Sequence, residues 1–214
     1  MPPADGLRAV LFDWDGTLVD SAAKSYRCYV RVFGAFGIDY DHAAFERTYS
    51  PDWYHTYEEI GLPRQAWEEA DARWLACYGD EPSQLIPGAG AALARLAERG
   101  IVQGLVSSGD PTRVRREIGT LGVAPFFATV VCGGETERRK PDPQPLLFAL
   151  ERLGLAAAEA AYVGDSPEDV MMARAAGAFA VGIPGGFPNR RALEESRPHV
   201  LAPDLASAVS VLLR

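Results

Sequence analysis

Apolar positions fall into two regimes along the chain, and their boundary organises everything else. Val10-Leu11-Phe12 is a short continuous apolar run, the pattern of a strand covered on both faces rather than on one. From residue 88 onward such runs recur at 101–106, 128–131, 161–163, 179–183 and 199–201, separated by stretches of helical period. Helices are predicted at 91–99, from Asp110-Pro111 onward, and at 144–153, 168–176 and 205–213. Gly100, Gly154 and Gly177 follow three of them as terminators, and Asp110-Pro111 supplies an N-cap acid with a proline at the first helical position. Alternating strands and helices imply repeated βα units and a parallel sheet.

Between residues 21 and 85 no strand-like run appears. Tyr26, Tyr29, Val30 and Phe33 recur at helical spacing, with Gly37 just beyond. Ser50-Pro51 reads as N-cap and first position of a helix running to Ile60, and Trp67, Ala70, Trp74, Cys77 and Tyr78 stripe another. The expected architecture is therefore α/β: a Rossmann-like parallel sheet with helices on both faces from residues 1–20 and 86–214, plus a small inserted all-helical cap at 21–85. The cap is expected to stand over the end of the first strand. It holds seven of the eight tyrosines and three of the four tryptophans, most of them expected in its own core.

Polar clusters sit where the predicted strands end. The first run stops at Asp13-Trp14-Asp15-Gly16-Thr17, two carboxylates and a glycine turn. Taken alone, this could be ordinary turn chemistry or a fragment of a calcium loop. The run at 101–106 ends in Ser107-Ser108-Gly109, a hydroxyl followed by backbone amides, which suits a phosphate oxygen. Lys140 is one of only two lysines among 21 Lys plus Arg, a compact charge suited to a crowded anionic site, although after Arg138 and Arg139 it also reads as a solvated basic turn. The run at 161–163 ends in Gly164-Asp165-Ser166, with Asp169 one helical turn on; acids there also cap helices. A parallel sheet would gather all four clusters at one edge, where open α/β sheets bind ligands.

Composition narrows the function. With 214 residues the chain can bury one sizeable core, and 48% apolar with 23% charged residues fits a globular protein rather than a disordered one. Twenty-nine acids against 21 bases give a formal charge of −8, which repels a phosphate backbone, so nucleic acid is not an expected partner. Cys28, Cys77 and Cys132 lie far apart without zinc spacing and read as buried thiols of a reducing compartment. Met1 to Leu7 is too short and polar for a signal peptide, and no run reaches membrane-spanning length, so a cytoplasmic protein without a membrane partner is expected.

In this order, the four clusters resemble the motifs of the haloacid dehalogenase-like hydrolase superfamily, specifically its phosphoglycolate phosphatase-like members with a helical cap, over essentially the whole chain. The resemblance implies Mg²⁺-dependent hydrolysis of a small phosphorylated metabolite through an aspartyl-phosphate. Asp13 would be the nucleophile and Asp15 the general acid and base. Mg²⁺ would be held by Asp13, Asp165 and the backbone carbonyl of Asp15, with Asp169 acting through water or holding Lys140. Ser107 and Ser108 would bind phosphate oxygens, and Lys140 would neutralise charge at the reacting group. Relatives that lack an acid at the position of Asp15 follow other chemistries, so its presence points to phosphate esters. A β-phosphoglucomutase-like sugar phosphomutase and a catalytically silent protein of the same fold are the rivals; the complete set of acids argues against the second. Arg47 and His55 are the expected polar contacts of the cap with substrate, Lys24 is placed to reach substrate but reads more readily as a surface helix residue, and His42 and His199 as incidental.

Overall fold

A computed structural model describes residues 6–214. Residues 1–5, part of the stretch read as too short for a signal peptide, lie outside the described residues. Two compact units result, one running to Asp20 and resuming at Gln84, the other Ser21–Ser83.

The first unit is built on six parallel strands: β1 (Ala9–Phe12), β2 (Val102–Val106), β3 (Thr129–Val131), β4 (Ala160–Gly164), β5 (Phe179–Gly182) and β6 (Val200–Leu201). Their order is β3-β2-β1-β4-β5-β6, with β1 central and paired in register to both β2 and β4. The connection reverses direction between β3 and β4, so the crevice for ligands lies at the carboxyl ends of β2, β1 and β4. All four residues of β1 are buried, as a continuous apolar run requires. Val10 and Phe12 pack on one face with apolar residues of α5 (Ala89–Glu98), α6 (Pro111–Thr120) and α10 (Leu205–Leu212). Ala9 and Leu11 pack on the other with those of α7 (Gln144–Leu153), α8 (Pro167–Ala176) and α9 (Arg190–Glu195). Predicted strands and helices match to within a residue or two, except α9, which the sequence pattern did not reveal.

Where the chain leaves and re-enters this unit, the two crossings pair: Val19 bridges Leu85, Asp20 N–H donates to Gln84 O, and Ile86 N–H donates to Leu18 O.

The second unit contains α1 (Ala22–Ala35), α2 (His42–Thr48), α3 (Trp53–Glu59) and α4 (Trp67–Gly79). Its core is aromatic: Tyr29, Phe33, Tyr40, Phe45, Tyr57 and Tyr78 are buried, with Phe33 and Tyr40 edge to face at 4.7 Å. The Tyr54 and Tyr57 hydroxyls each donate to Asp71 at 3.0 Å, satisfying both polar ends. Two sequence expectations are corrected here, and one helix is added. Ser50-Pro51 does not open the helix ending near Ile60; Asp52 caps it, its carboxylate accepting from Tyr54 N–H, because a charged acceptor is favoured at a helix N-terminus. An unforeseen helix, α2, is capped by Asp41. Lys24 is buried rather than on the surface, donating to Glu81 O and the Ser83 hydroxyl with its ammonium 3.8 Å from the Tyr78 ring.

Candidate active site

Asp13 is the first residue past β1, and its N–H still donates to Val163 O on β4 at 2.9 Å, so the ladder fixes its backbone. Its side chain is buried and meets Lys140. The Lys140 ammonium donates to Asp13 Oδ1, Asp169 Oδ1 and the Tyr162 hydroxyl, each at 2.7 Å, so all three of its protons are used. Burial alone would lower the lysine, but the Asp13 and Asp169 charges and the bonds to them raise it, so it is a fixed cation. The Tyr162 hydroxyl in turn donates to Val106 O at 2.7 Å. This tyrosine was not anticipated. The available signal was one polar tip in an otherwise apolar strand, which needs a partner when buried.

Asp169 is fully occupied. Its Oδ1 accepts from Lys140, with the Tyr162 hydroxyl, whose one proton goes mainly to Val106 O, at 3.2 Å, and its Oδ2 accepts from both the amide and the hydroxyl of Ser166. Ser166 in turn caps α8 by accepting from Asp169 N–H, a reciprocal box that locks both side chains.

Asp165 is different. It is buried and its Oδ2 has no hydrogen-bond partner. Two glycines make room for it: a Cβ on Gly16, which adopts φ +80°, or on Gly185 would run into this carboxylate. Gly185, just beyond β5, went unnoticed because in Pro184-Gly185-Gly186 it reads as a loop residue. Ligand oxygens of Asp13, Asp165 and Asp169 lie within 4.8 Å of one another. Burial pushes the Asp13 carboxyl up to about 7, opposed by Lys140 and reinforced by the Asp169 and Asp15 charges. Burial, then the Asp13 and Asp169 charges, push Asp165 well above the usual carboxylate range. Three buried carboxylates against one ammonium leave an excess of negative charge, and an orphaned buried oxygen is costly. Both fit a hard divalent cation bound by oxygen ligands.

On the other side of Asp13, β2 delivers Ser107, whose N–H donates to Val131 O. Its hydroxyl accepts from Gly109 N–H at 3.0 Å, forming a tight turn ahead of α6, with Ser108 partly exposed within it. From α6, Arg113 forks onto Asp15. Neither Arg113 nor its neighbour Glu117 was singled out in the sequence. An i,i+4 charged pair on an amphipathic helix ordinarily faces water.

The structure thus brings Asp13, Lys140, Asp165 and Asp169 into one cluster and places Asp15 and Ser107 on the adjoining loops. Arg47 on α2 and His55 on α3 are exposed in the helical unit. His199 accepts from Ala180 N–H, and His42 stacks on Tyr26.

A family model described as haloacid dehalogenase-like hydrolase matches residues 10–183, which include every member of this cluster. The chain is a haloacid dehalogenase-like hydrolase. It is 32% identical over 203 residues to the phosphoglycolate phosphatase of Yersinia pseudotuberculosis, covering 90% of this chain and 87% of that one. To the phosphoglycolate phosphatase of Escherichia coli O157:H7 it is 28% identical over 232 residues, covering 94% and 90%. The reading of the chain as a phosphatase therefore stands. Its fold is shared with a haloacid dehalogenase-like hydrolase from Streptococcus pneumoniae, with a TM-score of 0.83 at 21% identity over 96% of this chain and 98% of that one. Among the described residues, no helix is long and apolar enough to cross a membrane.

Proposed function

We propose that this haloacid dehalogenase-like hydrolase is a Mg²⁺-dependent phosphomonoesterase of small phosphorylated metabolites, working through an aspartyl-phosphate on Asp13. The observation that carries the reading is the Asp13 carboxylate, clamped through Oδ1 to Lys140 while Oδ2 takes no part in that bond, close to the orphaned oxygen of Asp165. Asp13 and Asp165, with the backbone carbonyl of Asp15, would hold the cation. Asp169, its oxygens taken up by Lys140 and Ser166, holds the lysine instead. When bound, the cation supplies the positive charge that lets a carboxylate approach a phosphate dianion.

In the first step an Asp13 oxygen bonds to phosphorus as the ester P–O bond breaks, and the departing alkoxide takes a proton from Asp15. In the second, water gives a proton to Asp15 and bonds to phosphorus, the Asp13–phosphorus bond breaks, and phosphate leaves. Lys140 neutralises charge on Asp13 throughout, and Ser107 with the Ser108 amide binds phosphoryl oxygens. Phosphoglycolate leads the substrate candidates because it is what the named relatives act on. Arg47 and His55 are the proposed polar contacts that choose among esters. A cytoplasmic location accords with three free thiols, Cys28, Cys77 and Cys132.

The test is phosphate release from phosphoglycolate and from a panel of small phosphate esters. Turnover should require Mg²⁺, stop with EDTA, and vanish in Asp13→Asn. Near-native turnover by that variant, or with EDTA present, would overturn the mechanism.

A further inference from the structure

The loop carrying Asp15 is tied to α6 at two points. Arg113 Nη1 donates to Asp15 Oδ1 at 3.1 Å and Nη2 to Asp15 Oδ2 at 2.5 Å, a two-pronged pair. Nη1 also donates to Glu117 Oε2 at 3.0 Å, and the same oxygen accepts from Trp14 Nε1 at 2.8 Å. Trp14 stands between the two acids in sequence, so one buried chain, Trp14–Glu117–Arg113–Asp15, grips the loop through adjacent side chains. The Arg113 and Glu117 side chains are 5% and 4% exposed, whereas that of Asp15 is 25% exposed. The network runs from the interior to its one accessible carboxylate. Nη2 also lies where a Cβ on Gly109 would stand, so the guanidinium packs against the phosphate-binding turn as well.

The geometry points to Arg113 as the positioning residue for proton transfer: it sets the plane and location of the Asp15 carboxylate, and Glu117 and Trp14 set Arg113. The inference rests on the proposed phosphatase mechanism and adds to it a residue outside the four motifs. A fork is needed because a guanidinium fixes both oxygens of a carboxylate at once, whereas an ammonium would let it rotate. Displacing a reacting group by about 1 Å costs on the order of 10²-fold in rate.

The test separates positioning from mere support by varying the leaving group. Protonation matters for an alkoxide and little for p-nitrophenolate, so kcat/KM is compared on an alkyl phosphate (phosphoglycolate or glycerol phosphate, whichever the wild type turns over faster) and on p-nitrophenyl phosphate. Asp15→Asn should lose about 10²–10⁴-fold on the alkyl ester and much less on the aryl ester. Arg113→Lys, which keeps the charge and loses the fork, should lose roughly 10–10²-fold on the alkyl ester and under about threefold on the aryl ester. In the double variant the Arg113→Lys loss should vanish, because it acts only through Asp15. Equal losses on both esters, a wild-type profile for Arg113→Lys, or full additivity with Asp15→Asn would overturn the inference while leaving the phosphatase reading intact. An Asp15→Asn variant with no ester selectivity would overturn the acid–base assignment and this inference together. Should Arg113→Lys fail to fold, Glu117→Gln, which keeps an acceptor for Trp14, decides: a smaller loss with the same selectivity supports the inference, and an unselective one refutes it.

Discussion

Replacing Lys140 with Met removes one ammonium and keeps most of the side-chain volume. Asp13 and Asp169 lose a shared counter-ion at 2.7 Å, and Tyr162 loses a donor. With the lysine side chain 5% exposed, water cannot substitute. Removing one partner of a buried ion pair costs about 3–5 kcal/mol. Counting three charged hydrogen bonds separately at about 1.5–3 kcal/mol each would overshoot, because they share one group. Protonation limits the loss: the Asp13 carboxyl, already near 7, moves higher still without Lys140, and each unit is worth about 1.4 kcal/mol. A loss of about 3 kcal/mol is expected at pH 8 in EDTA, shrinking as pH falls through about 7 and Asp13 takes up a proton. Urea unfolding followed by circular dichroism should show a midpoint lowered by about 1–2 M. Mg²⁺ at a hundredfold above its Kd for a given form should stabilise that form by about 2.7 kcal/mol. A loss below about 1 kcal/mol at pH 8 without metal would show that Lys140 does not hold these carboxylates together.

The Asp13 carboxyl sits near 7 when folded against an ordinary 3.8, so the folded state keeps a proton that the unfolded state has lost. Metal-free stability should therefore fall as pH rises from about 4 to about 7, seen as the difference between wild type and Asp13→Asn; a difference that rises over that window contradicts the assignment. Gly185→Ala would drive a Cβ into Asp165, lowering stability by about 1–3 kcal/mol and Mg²⁺ affinity by roughly 10–100-fold in calorimetry; wild-type affinity would show that Asp165 does not hold the cation from this position.

Much of the site was legible because its residues interrupt a pattern. Asp13, Ser107 and Asp165 follow apolar runs, and a parallel sheet of order β3-β2-β1-β4-β5-β6 carries such strand ends to one edge. What could not be read depends on packing that sequence spacing does not encode. Arg113 and Glu117 are ordinary surface types at ordinary helical spacing, and only the approach of α6 to the Asp15 loop buries them. Tyr162 looks like one more strand aromatic until Lys140 reaches it from 22 residues earlier in the chain. Asp169 combined two readable roles, metal ligand and lysine partner, and its hydrogen bonds favour the second. In the helical unit the short α2 and the cap of α3 were misjudged because Ser50, Asp52 and Asp41 all offer capping oxygens, and local chemistry alone does not rank them.

The central claim is that phosphorus is bonded to Asp13 during turnover. The direct measurement is acid quenching of the Mg²⁺-loaded enzyme during turnover of its best ester, followed by peptide mass analysis. One phosphoryl group should appear on the peptide containing Asp13, be lost on mild base treatment as an acyl phosphate is, and be absent from Asp13→Asn. A phosphoryl group on any other residue, or none while turnover proceeds and the Asp13→Asn variant stays active, would contradict the account.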